Sequence, residues 1–226
     1  MIKLMQWAGS RPDLFGHDFC AVFSQLQDAT TPHPWSHTEQ ALAQAYGSEW
    51  RERMQVGELL GSGCIGQVYK GNVKATPESD WNEVAVKVLH PNVRADIDAD
   101  LDLMRVVARM SKWVPLLHTL KWLDVEGVVE EFADLLQLQL DLRHEAENLK
   151  RFGENFRKDP SVVFPEVVEG FVPTRHVLVE SFCDGIPVLQ FAREHQDQPE
   201  KLSQMCMTAI RAICQMIFLD NFMHGR

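Results

Sequence analysis

Long apolar runs are missing from this chain: none approaches the ~20 residues that span a bilayer, so no transmembrane segment is expected in it. The opening Met1-Ile2-Lys3-Leu4-Met5-Gln6-Trp7 enters a helical pattern at once and lacks the layout of a secretory signal. An intracellular protein without a signal peptide is the expectation. Positive charge is scarce too, with 22 Lys and Arg against 32 Asp and Glu and a formal net charge of −10. Without a basic stripe, a nucleic-acid backbone is a poor partner, because that affinity comes from neutralising phosphates. An anionic membrane surface gains little attraction either. Cysteine is sparse and unpaired in pattern: Cys20, Cys64, Cys183, Cys206 and Cys214 form no C-x-x-C spacing. Reduced thiols are expected, with no structural zinc or other metal site. Internal repeats and low-complexity tracts are absent.

What is present begins with apolar residues at 45% of the chain, enough for a sizeable core. Residues 1–50 read as short helices separated by turns at Arg11-Pro12-Asp13 and at Thr30-Thr31-Pro32-His33-Pro34-Trp35, where proline removes donors and restrains its predecessors. Ser36 with Glu39 has the spacing of a capping box. His33 and His37 stand four apart across this proline-rich turn, a poor frame for a metal. From about residue 54 the pattern turns extended: Met54 to Leu60, then Gln67 to Lys70, then Glu83 to Leu89, stopped by Pro91. Two long helices are predicted over 93–113 and 125–156. Extended segments follow at 162–164 and 176–180, and a helix over 200–220 closes the chain. Segregated strands and helices in this order predict an α+β fold. Met205, Met207, Met216 and Met223 read as core fillers, and the acidic stretch from Glu126 to Asp134 as a solvated face.

Three features in sequence order carry the chemistry. Gly61-Ser62-Gly63-Cys64-Ile65-Gly66-Gln67-Val68 is a glycine-rich turn of the kind that brings backbone N–H groups against phosphate oxygens. Alone it is equally an ordinary hairpin. A dinucleotide loop would run from strand into helix, with an acidic residue about 20 positions on. Here strand formers Val68-Tyr69 follow, and position 87 is lysine, so that reading fails. In Val84-Ala85-Val86-Lys87, alternation places Lys87 on the face of Ala85, where a small side chain leaves room for a base and the ammonium reaches phosphates. The competing reading is a solvent-facing lysine on an edge strand. Finally, Leu138, Leu142, Glu145, Leu149 and Phe152 step by four, three, four and three along one helix stripe. A carboxylate in an apolar stripe needs a cation, and Lys87 is the candidate, the ion pair that steadies a kinase lysine.

These residues resemble the aarF/UbiB family of atypical kinases over nearly the whole chain. Lys3-Leu4-Met5-Gln6 and Arg11-Pro12-Asp13-Leu14 stand where the family has its Lys-x-Gly-Gln signature and the segment after it. Ala85 to Pro91, Leu140-Asp141-Leu142-Arg143-His144-Glu145-Ala146-Glu147-Asn148 and Val177-Leu178-Val179-Glu180 resemble its third strand, its Leu-Asp-x-x-x-Glu-Ala-x-Asn helix and the strand entering its adenine hinge. Met5 replaces the signature glycine, Gln139-Leu140-Asp141 replaces Glu-x-Asp, and glycines stand where many members are alanine-rich. Together these departures resemble the mitochondrial branch called aarF-domain-containing kinase two. Asp220-Asn221-Phe222-Met223-His224 is similar to the approach to the catalytic loop, with Arg226 where the family has aspartate.

The resemblance implies a kinase-like N-lobe over 51–180, a helical extension over 1–50 and the start of a C-lobe over 181–226. It implies ATP held by Gly61, Gly63, Cys64, Gly66, Val68, Ala85, Lys87, Glu145, Glu180 and Phe182. Lys3, Gln6, Gln139 and Asp141 would be the signature or regulatory residues. Catalytic residues other than His224 are not expected in this chain, and Mg²⁺ would be held only by a longer form. Mitochondrial localisation and a link to coenzyme Q or lipid metabolism are likewise implied, with coenzyme Q biosynthesis proteins or lipid as partners. A catalytically incompetent fragment, a non-catalytic pseudokinase-like scaffold and an unstable piece with bare helix faces at Ile210, Ile213, Ile217 and Leu219 all stay open.

Overall fold

The computed structural model describes residues 31–111 and 125–223, apart from 75, 77 and 78, together with Asp18. The first described helix, α1 (Trp35–Tyr46), buries Thr38, Ala41 and Leu42, the i, i+3, i+4 stripe of an amphipathic helix. Pro34 is its N-cap, and no side chain caps it. The expected box on Ser36 therefore does not form; Glu39 pairs instead with Arg51. After a 3-10 turn, Trp50–Glu52, come β1 (Met54–Ser62), β2 (Gly66–Val73) and β3 (Asn82–Leu89). Asn92 then takes a left-handed φ of 58°, tolerable for asparagine, and its carbonyl accepts from Asp96 N–H as α2 (Val93–Ser111) begins.

Helix α3 (Val125–Gln139) packs against α2 through Leu101, Ala133 and Leu136, and Arg105 grips Glu130 at 2.8 and 2.9 Å. Here the single helix expected over 125–156 is corrected. The chain breaks at Leu140-Asp141 and restarts as α4 (Leu142–Phe156), where the Asp141 carboxylate accepts from Arg143 N–H at 3.0 Å. The break rotates the apolar stripe: Val129, Ala133, Leu136 and Leu140 are buried along one piece, Leu142, Ala146, Phe152 and Phe156 along the next. Leu138, assigned to the stripe of Glu145, is exposed on α3 instead.

Residues 162–164 form no strand; among the described residues an isolated bridge nearby joins Val167 to Glu180. Strand β4 (Val177–Ser181) follows, then a short helix absent from the sequence expectation, α5 (Val188–Glu194), and α6 (Pro199–Cys214), which continues as a π turn, Gln215–Leu219. The sheet is four-stranded and antiparallel, in the order β1-β2-β3-β4. It lies between two helices, and β2 shows how. Gln67, Tyr69, Gly71 and Val73 are buried while their neighbours are half-buried, the period of two a pleated strand demands. Tyr69, Val84, Val86, Val88, Val177 and Val179 pack on the side of α1, with Leu42 and Trp50. Leu178 and Leu89 pack on the other, with Leu140, Leu142 and Ala146 at the start of α4. Fully burying each valine or leucine here is worth about 1.5–3 kcal/mol relative to exposure.

The far end of α4 receives α6, where Phe152 and Phe156 meet Ala212 and Met216. The rest of α6 stays open. Ile210, Ile213, Ile217 and Leu219 are exposed, as the sequence led one to expect, but so are Met207 and Met223, which fill no core; Met216 does. By length and composition, Pro199–Leu219 is long and apolar enough to cross a membrane, with mean hydropathy 1.4 over its best window. Its charged residues hide this from a search for uninterrupted apolar runs. The architecture is α+β, as anticipated.

Candidate functional site

Strand pairing assembles the site from two adjacent rows on one face of the sheet. Gly61, Val68, Lys87 and Leu178 are direct partners across the strands, and Lys70, Ala85 and Glu180 form the next row. Partners in an antiparallel ladder share a face, so Lys87 and Ala85 lie together, away from Val84 and Val86.

Against this face stands α4. It opens on the Asp141 cap, and Leu142 N–H donates to the Arg175 carbonyl at 3.1 Å, fixing its first turn beside the sheet. Glu145 then meets Lys87, Nζ to Oε1, at 2.6 Å. The same ammonium lies 2.9 Å from Glu180 Oε1. Glu180, which the resemblance places in the strand entering the hinge and among the ATP-binding residues, thus has its side chain on the lysine. A polar residue ending the apolar run Val177-Leu178-Val179 was the available signal, since β-alternation sets it one row from Lys87. Both the lysine and the helix glutamate are mostly shielded from water. The arrangement aims the ammonium rather than leaving it to wander.

The glycine turn closes the end of the β1–β2 hairpin. Gly63 N–H donates to the Gly66 carbonyl at 2.9 Å, and His90 N–H to the Ile65 carbonyl at 2.9 Å. The His90 ring adds a bond from Nε2 to the Gly63 carbonyl at 2.7 Å. The glycines differ in what requires them. A Cβ on Gly66 would sit 2.5 Å from the Val88 carbonyl, so the close approach of β3 alone demands glycine there. A Cβ on Gly61 would meet nothing within 4 Å, leaving open space over that position. Cys64 is half-buried in the turn. Phe182, just past β4, donates its N–H to the Glu83 carbonyl and carries the Lys70 ammonium 4.5 Å above its ring.

The structure therefore brings together Gly61, Val68, Ala85, Lys87, Glu145 and Glu180, with Gly63, Cys64 and Gly66 at one end and Phe182 at the other. Lys70, on the same face, was missed by the sequence reading. Gln139 and Asp141 flank the break between α3 and α4. Asp141 caps α4 and is held by the Arg143 guanidinium at 2.5 Å, which with the backbone bond brings its carboxyl down to about 2. Lys3, Gln6, Cys20, His224 and Arg226 lie outside the described residues.

A polyphosphate suits this donor set: an aimed ammonium, an adjacent glycine turn and open space above Gly61. Among the described residues there is no group of three or more His, Cys, Asp or Glu that could hold a metal ion.

An antiparallel sheet with a glycine turn after its first strand, a lysine on its third and a helix glutamate on that lysine define a protein-kinase-like lobe. Residues 25–225 match the model of the ABC1 atypical kinase-like domain, and the chain belongs to that family. A mitochondrial ABC1 family protein of Saccharomyces cerevisiae is 34% identical over 99% of this chain and 36% of its own length. A second mitochondrial member, from Schizosaccharomyces pombe, is 33% identical over 99% of the chain and 35% of its own length. The "Probable protein kinase UbiB" of Vibrio cholerae is 30% identical over 99% of the chain and 40% of its length. The chain thus spans little more than a third of these relatives.

Proposed function

We propose that this chain is the nucleotide-binding portion of an ABC1-type atypical kinase or ATPase and that its ligand is ATP. The observation that carries the reading is the Lys87 ammonium held by Glu145 at 2.6 Å and Glu180 at 2.9 Å beside the glycine turn. Lys87 would neutralise phosphate oxygens, Glu145 and Glu180 would hold it in place, and Gly61 and Gly63 would let backbone approach the phosphates. Ala85 and Val68 would face the base, with Phe182 at the rim. When bound, the nucleotide supplies the phosphoryl group that a complete kinase transfers. Work in mitochondria, in lipid or coenzyme Q metabolism, is the setting that the named relatives and the family resemblance support.

Equilibrium titration with a fluorescent ATP analogue tests this. Lys87→Met should weaken binding by about tenfold to a hundredfold, the worth of a charge-assisted bond. Equal affinity in the two proteins would end the nucleotide reading. Titration with and without Mg²⁺ separates the enzyme from a scaffold: weak, metal-independent binding favours the scaffold.

A further inference from the structure

On the face of the sheet opposite Lys87, a second polar network joins the segment before α1 to the glycine turn. His33 N–H donates to Gln67 Oε1 at 2.9 Å. A backbone N–H can only donate, so this bond fixes which way the Gln67 amide points. Its Nε2 then donates to the His33 carbonyl at 3.3 Å and to the Tyr69 hydroxyl. Tyr69 Oη lies 3.0 Å from Thr38 Oγ1, which lies 2.8 Å from His33 Nε2. His33 Nδ1 lies 2.7 Å from His90 Nδ1, and His90 Nε2 reaches the Gly63 carbonyl. Ser62 Oγ stands 3.5 Å from that same nitrogen.

Both ends of the chain of bonds are fixed. Gln67 Nε2 can only donate, and the Gly63 carbonyl can only accept. Neutral rings give one continuous solution: Tyr69 donates to Thr38, Thr38 to His33 Nε2, His33 Nδ1–H to His90 Nδ1, and His90 Nε2–H to Gly63. An extra proton on His90 forces His33 to donate from Nε2. Thr38 then either accepts from both neighbours, leaving its own hydrogen without an acceptor in the network, or turns towards Tyr69, whose hydrogen loses its acceptor instead. His33, Thr38, Tyr69 and Gln67 are buried, where such a conflict is costly. His37 stacks edge-on against His33 and its Nε2 lies 3.1 Å from the Leu89 carbonyl, to which it donates. Beyond it stands His176, itself beside Arg175 and Asp141. Burial, then His90 and His37, pushes the His33 imidazole down to about 4.

We propose that His90 is a positioning residue for the glycine-rich turn, held as the Nε2–H tautomer by a neutral relay that runs from Gln67 through His33. The role rests on the nucleotide reading of the site; the relay itself does not. Through it, the segment at residues 33–38 sets the shape of the turn, and an added proton on His33 turns its Nε2 into a donor facing Thr38 and breaks the relay there.

Long-range nitrogen–proton correlation spectra of the imidazoles near neutral pH test the relay directly. His33 should carry its hydrogen on Nδ1 and His90 on Nε2; a cationic His90, or a hydrogen on His33 Nε2, overturns it. Hydrogen exchange tests the positioning. His90→Phe should speed exchange of the amides at 61–66 by about tenfold, the worth of one lost hydrogen bond, without speeding those of β4. His90→Gln, which offers an N–H at similar reach, should restore protection. Unchanged exchange in His90→Phe overturns the proposal. Affinity for the ATP analogue should fall in His90→Phe and recover in His90→Gln. Indifference to His90→Phe in a protein that Lys87→Met disables overturns the positioning role. Indifference to Lys87→Met as well removes the nucleotide reading and leaves the tautomer result standing.

Discussion

The two faces of the sheet solve the same problem with opposite chemistry. Towards α4, Lys87 sits between Glu145 and Glu180, a charged network at a partly open cleft. Towards α1, the network through His33, Thr38, Tyr69 and Gln67 is neutral and deeply buried. Burying charge costs several kcal/mol per ion unless water or partners compensate, so charges stand where the cleft admits water. A neutral relay needs no such access once every donor has an acceptor. Charged groups therefore mark the face that has room for a ligand, and neutral ones mark the face that holds the scaffold still.

The largest test of this contrast removes the edge both faces share. Gly66→Val places a side chain against the Val88 carbonyl, and denaturant unfolding should show a loss of about 3 kcal/mol. A smaller loss would mean that β2 and β3 slide apart easily, undermining the positions inferred for both networks. Next, Glu145→Gln keeps the shape but halves the charge around Lys87. Stability should drop by about 1–2 kcal/mol, less than for a sealed ion pair because the cleft is partly wet. Tightened packing with no loss would place the charged face in the same class as the neutral one.

Acid should act on the neutral face first. The His33 pKa is lowered from 6.5 to about 4, so between those values the unfolded chain binds the proton that the folded chain refuses. The stabilisation is complete above 6.5 and is lost as pH falls through about 4. Thermal unfolding at a series of pH values should show that slope, and His33→Gln should flatten it. The smallest effect belongs to neither face: Asp141→Ala removes the α4 cap and should cost about 1 kcal/mol, measured by the same unfolding. Because that carboxyl is lowered to about 2, its share of stability persists until strongly acidic pH.

Much of the charged face could be read in advance because its signals are local or directional. Alternation in Val84-Ala85-Val86-Lys87 puts the lysine on one side, and burial cost demands a partner for Glu145. The partner's address survived an error in its reasoning. Leu138 was counted in the stripe of Glu145, yet apolar spacing runs smoothly through Leu136, Leu140 and Leu142, and periodicity has no term for a restart at Asp141. Glu180 was assigned by family position rather than by its cross-strand partner Ala85. The neutral face was almost illegible. His33 and His90 are 57 residues apart, and nothing in either neighbourhood points to the other. His33 and His37 drew attention only as an implausible metal pair. The run Val162-Val163-Phe164 offered β-formers, but the edge of β4 is met by residues 166–168 instead, and the backbone of the run stays outside the sheet.

The restart at Asp141 also settles which parts of the molecule must move together. The segment bearing Glu145 has its own cap and its own anchor, Leu142 N–H on the Arg175 carbonyl, and meets Val93 and Ile97 of α2 and Leu140 only through side-chain packing. The backbone restart therefore works as a joint, with the shared apolar cluster as its bearing surface. The hold of the carboxylate on Lys87 is thus set first by the cap and the Arg175 anchor and second by that packing.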